Sequence, residues 1–98
     1  MTKAEIISQI TEKTGIDKSE VSTAVEAFLT TVKDSMAQGN DIFIRGFASF
    51  INKKKAQKVA RNISKNTAMI IPEHYAPKFK PSPDFIELIK NSKNHNKN

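Results

Sequence analysis

The sequence predicts a small α+β domain: a helical hairpin, a three-stranded antiparallel sheet with a long β-hairpin arm, and a C-terminal helix. Three observations predict this class. Two stretches with apolar residues at helical spacing come first, each behind a capping signal. Short apolar runs typical of strands follow them. Between these runs lies a basic segment with too few apolar residues for a core of its own, which indicates a projecting hairpin.

Length and composition exclude several classes of protein. The 98 residues predict one domain with a modest core, and because part of the chain projects, we expect a partner subunit. The absence of cysteine excludes disulfides, thiolate zinc sites and cysteine catalysis, and it is compatible with a reducing cytoplasm. We expect neither a signal peptide nor a membrane span, since no apolar run is long enough.

The net charge of +6 is unevenly distributed along the chain. Residues 1–50 contain five basic and seven acidic groups, a net charge of −2. Residues 51–98 contain eleven basic and three acidic groups, a net charge of +8. This asymmetry indicates that the second half of the chain binds an anion.

The first half predicts two helices joined as a helical hairpin. Thr2 and Glu5 form a capping-box pattern before a helix at about 3–14, which Gly15 ends. Asp17 and Glu20 repeat that pattern before a second helix at about 18–38. The broad apolar face of the second helix makes it the main packing element, and it consists of Val21, Ala24, Val25, Phe28, Leu29, Val32 and Met36.

The second half predicts strands, the arm and a short helix. Residues 41–45 and 47–51 are typical of two strands that Gly46 separates, and the second strand continues into an arm at about 53–76. Pro72 lies in the returning strand, where it costs a ladder hydrogen bond unless the site is an edge or a bulge. Serine followed by proline at 82–83 predicts a helix start. Residues 91–98 are polar, and we expect them to be disordered.

Charge in the outgoing half of the arm predicts nucleic-acid binding. Lysines along a two-stranded ribbon neutralise phosphates and release counterions, which gives affinity with little sequence information. The alternative is an ordinary solvated face, but no acidic residue interrupts the run. The cationic residues are Lys53, Lys54, Lys55, Lys58, Arg61 and Lys65.

Several landmarks in register along the chain resemble one family. They are the segment Gly46-Phe47-x-Ser49-Phe50, the pair Arg61-Asn62, and Pro77 and Phe79 before the last helix. On these residues the sequence resembles the HU/IHF (integration host factor) family of bacterial DNA-bending proteins over about residues 1–90. The resemblance implies an intertwined homodimer whose two arms embrace double-stranded DNA through the minor groove. It also implies a cytoplasmic location in the nucleoid.

The resemblance implies roles for the tip of the arm and for the body. Arg61 and Asn62 at the tip can donate to acceptors in an A·T minor groove. Ile63 stands where the family has proline and is a candidate wedge between base steps. Ala48 and Asn66 replace glycines of the family pattern. Ser49 is a candidate phosphate donor, and its alternative role is to satisfy backbone groups at the turn. Further candidate DNA contacts lie on the body, where an ordinary surface role remains the alternative for each: Lys3, Arg45, Lys78 and Lys80.

Aromatic and histidine residues point to structural roles. Tyr75, near the base of the arm, either packs there or faces DNA. His74 and His95 are too far apart for a metal site or a catalytic dyad. Without paired carboxylates, a phosphate loop or a nucleophile with its base, we expect no enzymatic activity, cofactor, metal or small-molecule substrate. The phenylalanines predict core and dimer interface rather than base-stacking platforms: Phe28, Phe43, Phe47, Phe50, Phe79 and Phe85.

Other functions compete with architectural DNA binding. A helix-turn-helix regulator is disfavoured, because Asp17 and Glu20 at the start of the second helix would repel the DNA backbone. A protein-interaction module whose basic hairpin docks an acidic partner remains open. Within the DNA-binding class, sequence-tolerant compaction of the HU type and site-specific bending of the IHF type also remain open.

Overall fold

The computed structural model describes residues 1–62 and 67–95, and this part of the chain contains three α-helices and five strands. The elements follow in the order α1 (Lys3–Thr14), α2 (Lys18–Ala37), β1 (Ile42–Ile44), β2 (Ala48–Lys55), β3 (Lys58–Asn62), β4 (Thr67–Ile71), β5 (His74–Pro81) and α3 (Pro83–Lys90). The first helix has the predicted bounds, and the second ends one residue earlier than expected. The α+β architecture with a projecting hairpin is confirmed.

Helix α1 begins and ends as its sequence predicts. The backbone N–H of Glu5 donates to the Thr2 hydroxyl at 3.3 Å, and the backbone N–H of Thr2 donates to the Glu5 carboxylate at 3.0 Å. This reciprocal capping box satisfies two amides that the helix leaves free. Gly15, at φ 75°, ends the helix in the left-handed conformation.

The start of helix α2 differs from the predicted capping box. Asp17 occupies the N-cap position, but its side chain makes no capping hydrogen bond. Its carboxylate instead accepts a hydrogen bond from the hydroxyl of Ser19. The capping box with Glu20 is therefore wrong, because the nearer hydroxyl competes for the aspartate oxygen.

The body contains an antiparallel sheet in the order β1-β2-β5, with β2 in the centre. Strand β1 is shorter than predicted. Asp41 lies before it and accepts a hydrogen bond from the Asn52 backbone at 2.9 Å. Arg45 belongs to the following turn, in which the Phe47 N–H donates to the Ile44 carbonyl at 3.0 Å. Gly46 has φ 78° at the third position of this turn, a left-handed value that favours glycine.

The arm continues the β2–β5 ribbon after a short break. The last rung before the break pairs Lys55 with His74, and the first rung beyond it pairs Lys58 with Ile71. Two residues of each strand are unpaired in the break, so the pairing register is the same before and after it. Pro72 lies in this break, where its missing N–H costs no ladder hydrogen bond.

Four phenylalanines form a cluster beneath the sheet that we call the aromatic core, although Phe47 and Phe79 are 42% and 48% exposed in the single chain. The rings of Phe47 and Phe85 stack with centroids 5.4 Å apart, and those of Phe50 and Phe79 also lie 5.4 Å apart. Phe43 does not join them: it pairs with Ser49 and is 74% exposed in the single chain, so its predicted place in the dimer interface stays a prediction. A three-residue strand alternates its side chains, which turns this one outward.

Helix α3 packs beside the aromatic core, and its cap matches the prediction. The Phe85 N–H donates to the Ser82 hydroxyl at 3.2 Å, with Pro83 at the first helical position. Beyond it, Lys93–His95 form one turn of 3-10 helix, and disorder of the whole tail stays a prediction. In the two described ranges, no helix is both long and apolar enough to cross a bilayer.

Candidate nucleic-acid interface

Alternation along β2 and β5 gives the sheet two chemically different faces. One face covers the aromatic core and contains Phe50 opposite Phe79. We call the other the basic face, and in the body it consists of Ser49, Ile51, Lys53 and Lys55 of β2 with His74, Ala76, Lys78 and Lys80 of β5. The sheet therefore separates a packing surface from a charged one.

The basic face brings together five of the predicted site residues. Ser49 lies directly opposite Lys80, and Ile51 lies opposite Lys78. Lys53 and Lys55 follow on the same face toward the arm. All four lysines are exposed, and no acidic residue occupies a strand position on this face in the described part of the sheet. The result is a cationic strip from the body to the base of the arm.

Arg61 continues this strip along the arm. Because the register is unchanged across the break, the alternation of β2 carries over to β3. Arg61 and Val59 then lie on the same side as Lys53 and Lys55. Lys58 lies on the opposite face of the ribbon, because it is an odd number of residues away from both Lys55 and Arg61. The sequence places six cations in one run, but the pleat of the ribbon divides them between two faces.

Lys54 also lies on the opposite side, and it has an acidic neighbour. Its ammonium is 3.4 Å from the carboxylate of Glu73, which comes from the returning part of the chain. Both side chains are more than half exposed, so the pair contributes little stability. Tyr75 is directly opposite Lys54 and is 66% exposed. Sequence reasoning missed this ion pair because Glu73 lies outside the acid-free run.

The body candidates outside the sheet have different surroundings. Lys3 forms an ion pair with Glu26 of helix α2. Both partners are about half exposed, so a phosphate can compete with the carboxylate for the ammonium. Arg45 is exposed in the β1–β2 turn, at the end of the sheet away from the arm. DNA contacts by Lys3 and Arg45 stay predictions.

Of the candidate residues at the tip of the arm, the structure describes Arg61 and Asn62. Asn62 forms the last described rung of the arm, opposite Thr67. Ile63 and Lys65 lie outside the described residues, as does Asn66. Their predicted roles as wedge, phosphate contact and turn residue therefore stay predictions. Within 1–62 and 67–95, no group of three histidine, aspartate or glutamate side chains could hold a metal ion.

An acid-free cationic strip on a projecting β-ribbon defines a class: proteins that bind nucleic acid through a basic two-stranded arm. Residues 1–90 match the profile of the family described as bacterial DNA-binding protein. The chain belongs to this family, and its similarity to both HU and IHF proteins confirms the resemblance seen in the sequence.

Two curated relatives match along more than nine-tenths of their length. The chain is 34% identical over 90 residues to the DNA-binding protein HU of Thermotoga maritima, covering 92% of this chain and 100% of the relative. It is 35% identical over 94 residues to the integration host factor subunit alpha of Anaeromyxobacter sp. strain Fw109-5, covering 96% of this chain and 91% of the relative.

Solved structures share the fold. A cocrystal structure of Anabaena HU with DNA matches with a TM-score of 0.88 and 26% identity, covering 94% of this chain and 100% of the HU chain. A mutant HU from Thermotoga maritima matches with a TM-score of 0.70 and 28% identity, covering 91% of this chain and 99% of that one. These matches confirm the predicted HU fold.

Proposed function

We propose that this protein is an architectural DNA-binding protein that bends and compacts double-stranded DNA, with its arms in the minor groove and little sequence specificity. The observation that carries the proposal is the basic face, which extends from Lys80 on the body to Arg61 on the arm. Its cations are exposed and lie along one ribbon. A polyanion with regularly spaced charges matches that arrangement.

Low sequence specificity follows from the kind of cation on this face. Four of the five cations on the strip are lysines, whose ammonium groups act as point charges toward phosphate. Phosphate contacts set position and affinity, whereas base-edge contacts read sequence. In the described part of the arm, Arg61 and Asn62 lie nearest its end and can donate to base edges in the groove. The minor groove distinguishes chiefly A·T from G·C, so such contacts give a weak preference.

The function also requires a homodimer, which brings two arms to one duplex. A single chain exposes 8347 Å², whereas a compact protein of this mass exposes about 5,600 Å². The projecting arm contributes part of this excess of roughly 2,700 Å². The rest includes an apolar groove of about 740 Å³, whose lining includes Ile6, Ile10, Val25, Phe28 and Leu29. A second copy that covers these side chains would remove their apolar surface from water, which is the main favourable contribution to association.

Architectural DNA binding needs neither catalysis nor a cofactor, and we infer that this protein has no enzymatic activity. Its family is described by DNA binding. We also place the protein in the cytoplasm, in the bacterial nucleoid, because its proposed ligand is there. A small-molecule substrate has no part in this function.

Salt dependence of duplex binding tests the proposal. If a dimer makes on the order of 6–10 phosphate contacts, its affinity for a plain duplex should fall by ~10³–10⁵ between 50 and 200 mM salt. Linear, nicked and four-way DNA compared at one salt concentration would show which shape is preferred. A protein that leaves plain duplex unbound at 50 mM salt would refute DNA binding and favour an acidic protein partner.

The match to an IHF subunit makes site-specific bending the second candidate. Selection of bound duplexes from a random pool separates the two. Sequence-tolerant binding predicts an unchanged pool apart from A·T content. Site-specific binding predicts a recovered consensus, because each mismatch in a specific site costs about 1–3 kcal/mol.

A further inference from the structure

We infer that the arm has one DNA-facing side, and that Val59 and Ile70 on that side form an apolar contact with the minor groove. The inference rests on the proposed function. This inference adds two contact residues that charge alone does not identify, since neither Val59 nor Ile70 is cationic.

The two side chains form a cross-strand pair. Val59 of β3 lies directly opposite Ile70 of β4, and each is 66% exposed. The next rung on the same face pairs Arg61 with Ala68. Directly opposite side chains in an antiparallel ribbon are about 4.5–5.5 Å apart at Cβ, so the pair makes one small apolar patch beside a guanidinium.

Charge distinguishes this side of the arm from the other. The side with Val59 continues the basic face and has Lys53 and Lys55 at its base. The other side has Glu73 beside Lys54, with 3.4 Å between ammonium and carboxylate. Phosphates would be repelled by that carboxylate and attracted by the acid-free side. The arm therefore presents Val59 and Ile70, rather than Ala60 and Met69, to DNA.

The chemistry of the minor groove fits such a patch. Deoxyribose carbons form its walls and phosphates form its edges, so a suitable ribbon has apolar side chains in the middle and cations around them. Val59 and Ile70 lie between Lys55 toward the body and Arg61 toward the tip. Burial against the sugars would remove apolar surface that the free arm leaves in water.

Threonine substitutions test this contact. The variant Val59→Thr/Ile70→Thr keeps β-branched side chains and the strand preference of the arm but removes apolar surface. We expect its affinity for plain duplex to fall about tenfold or more. The slope of log affinity against log salt should stay unchanged, because no cation is removed. The heat-capacity change on binding should become less negative.

The matched control changes the neighbouring rung on the other side. In Ala60→Thr/Met69→Thr, affinity should change less than twofold, since this pair is expected to face solvent. Circular dichroism should show that both variants fold, and Val59→Ala/Ile70→Ala should repeat the loss.

Three results would overturn the inference while leaving DNA binding intact: Val59→Thr/Ile70→Thr binds as tightly as the wild type, the control loses as much affinity, or the salt slope falls. Assembly beyond a dimer without DNA, abolished by Val59→Thr/Ile70→Thr, would assign the patch to a second copy. Absence of duplex binding by the wild type would instead refute the proposed function.

Discussion

At the scale of single residues, Glu73 moderates the charge of the arm. It is the acidic residue that the structure brings to Lys54 in the described part of the arm. Replacement by glutamine removes one negative charge per arm without changing side-chain size. We expect Glu73→Gln to bind duplex DNA a few-fold more tightly at low salt, with a smaller gain as salt screens the charges. Fluorescence anisotropy across a salt series measures this effect.

Glu12→Gln is the matched control for this change. Glu12 is exposed in helix α1, so its replacement alters the net charge equally but far from the arm. Equal tightening by both variants would mean that net charge, rather than the Lys54–Glu73 pair, controls affinity.

Ile63 is the second residue with a prediction of its own, which rests on the sequence and the family resemblance. If its side chain enters the base stack as a wedge, it unstacks one step per arm. Ile63→Ala should then reduce bending more than binding, because Arg61 and the lysines still hold the DNA backbone. Ile63→Pro should preserve or increase bending, since proline stiffens the tip and keeps an apolar contact.

End-to-end energy transfer on a duplex with a central TA step, which kinks easily, measures the bend. An unchanged bend angle in Ile63→Ala with full affinity would show that the side chain stays out of the stack.

At the scale of elements, the ribbon divides its cations between two faces, and the division predicts unequal contributions to salt dependence. Each lost phosphate contact lowers the salt slope by about 1. Lys53→Gln/Lys55→Gln removes two cations per arm from the basic face, so a dimer should lose a slope of about 4. Lys54→Gln/Lys58→Gln removes as many from the opposite face and should lose less. The reverse order would show that the arm presents its other side.

At the scale of the whole molecule, the open apolar groove beside helix α2 predicts an obligate dimer. Only Ile7, Val21 and Ala48 are buried among the hydrophobic residues described in the single chain. Sedimentation at micromolar concentration should give about twice the chain mass of 11.0 kDa. The melting temperature should rise with protein concentration, because dimerisation couples to folding. A stable, well-folded monomer at that concentration would contradict the intertwined dimer.

Local signals in the sequence determined the helices and their boundaries. The capping box of Thr2, the glycine stop at Gly15 and the serine cap at Ser82 each act within a few residues of the chain. Such interactions are encoded by neighbours, and for this reason the predicted helices agree with the structure to within a residue. The positive charge of the arm could also be predicted from the sequence, because it depends on composition alone. Asp17 makes no capping hydrogen bond, because the hydroxyl of Ser19, another local partner, competes with the backbone N–H groups for its carboxylate.

Only the tertiary structure decided which side of the sheet each side chain occupies. Side chains alternate with a period of two, so a slip of one residue would exchange the basic face with the packing face. Register depends on pairing between distant residues, as between Lys55 and His74, and no short motif encodes it. The outward position of Phe43 and the Lys54–Glu73 contact follow from that register, whereas the pleat alone separates Lys54 from Lys55. Sequence alone therefore predicted a basic arm, and pairing across the sheet decided which of its sides is free of acid.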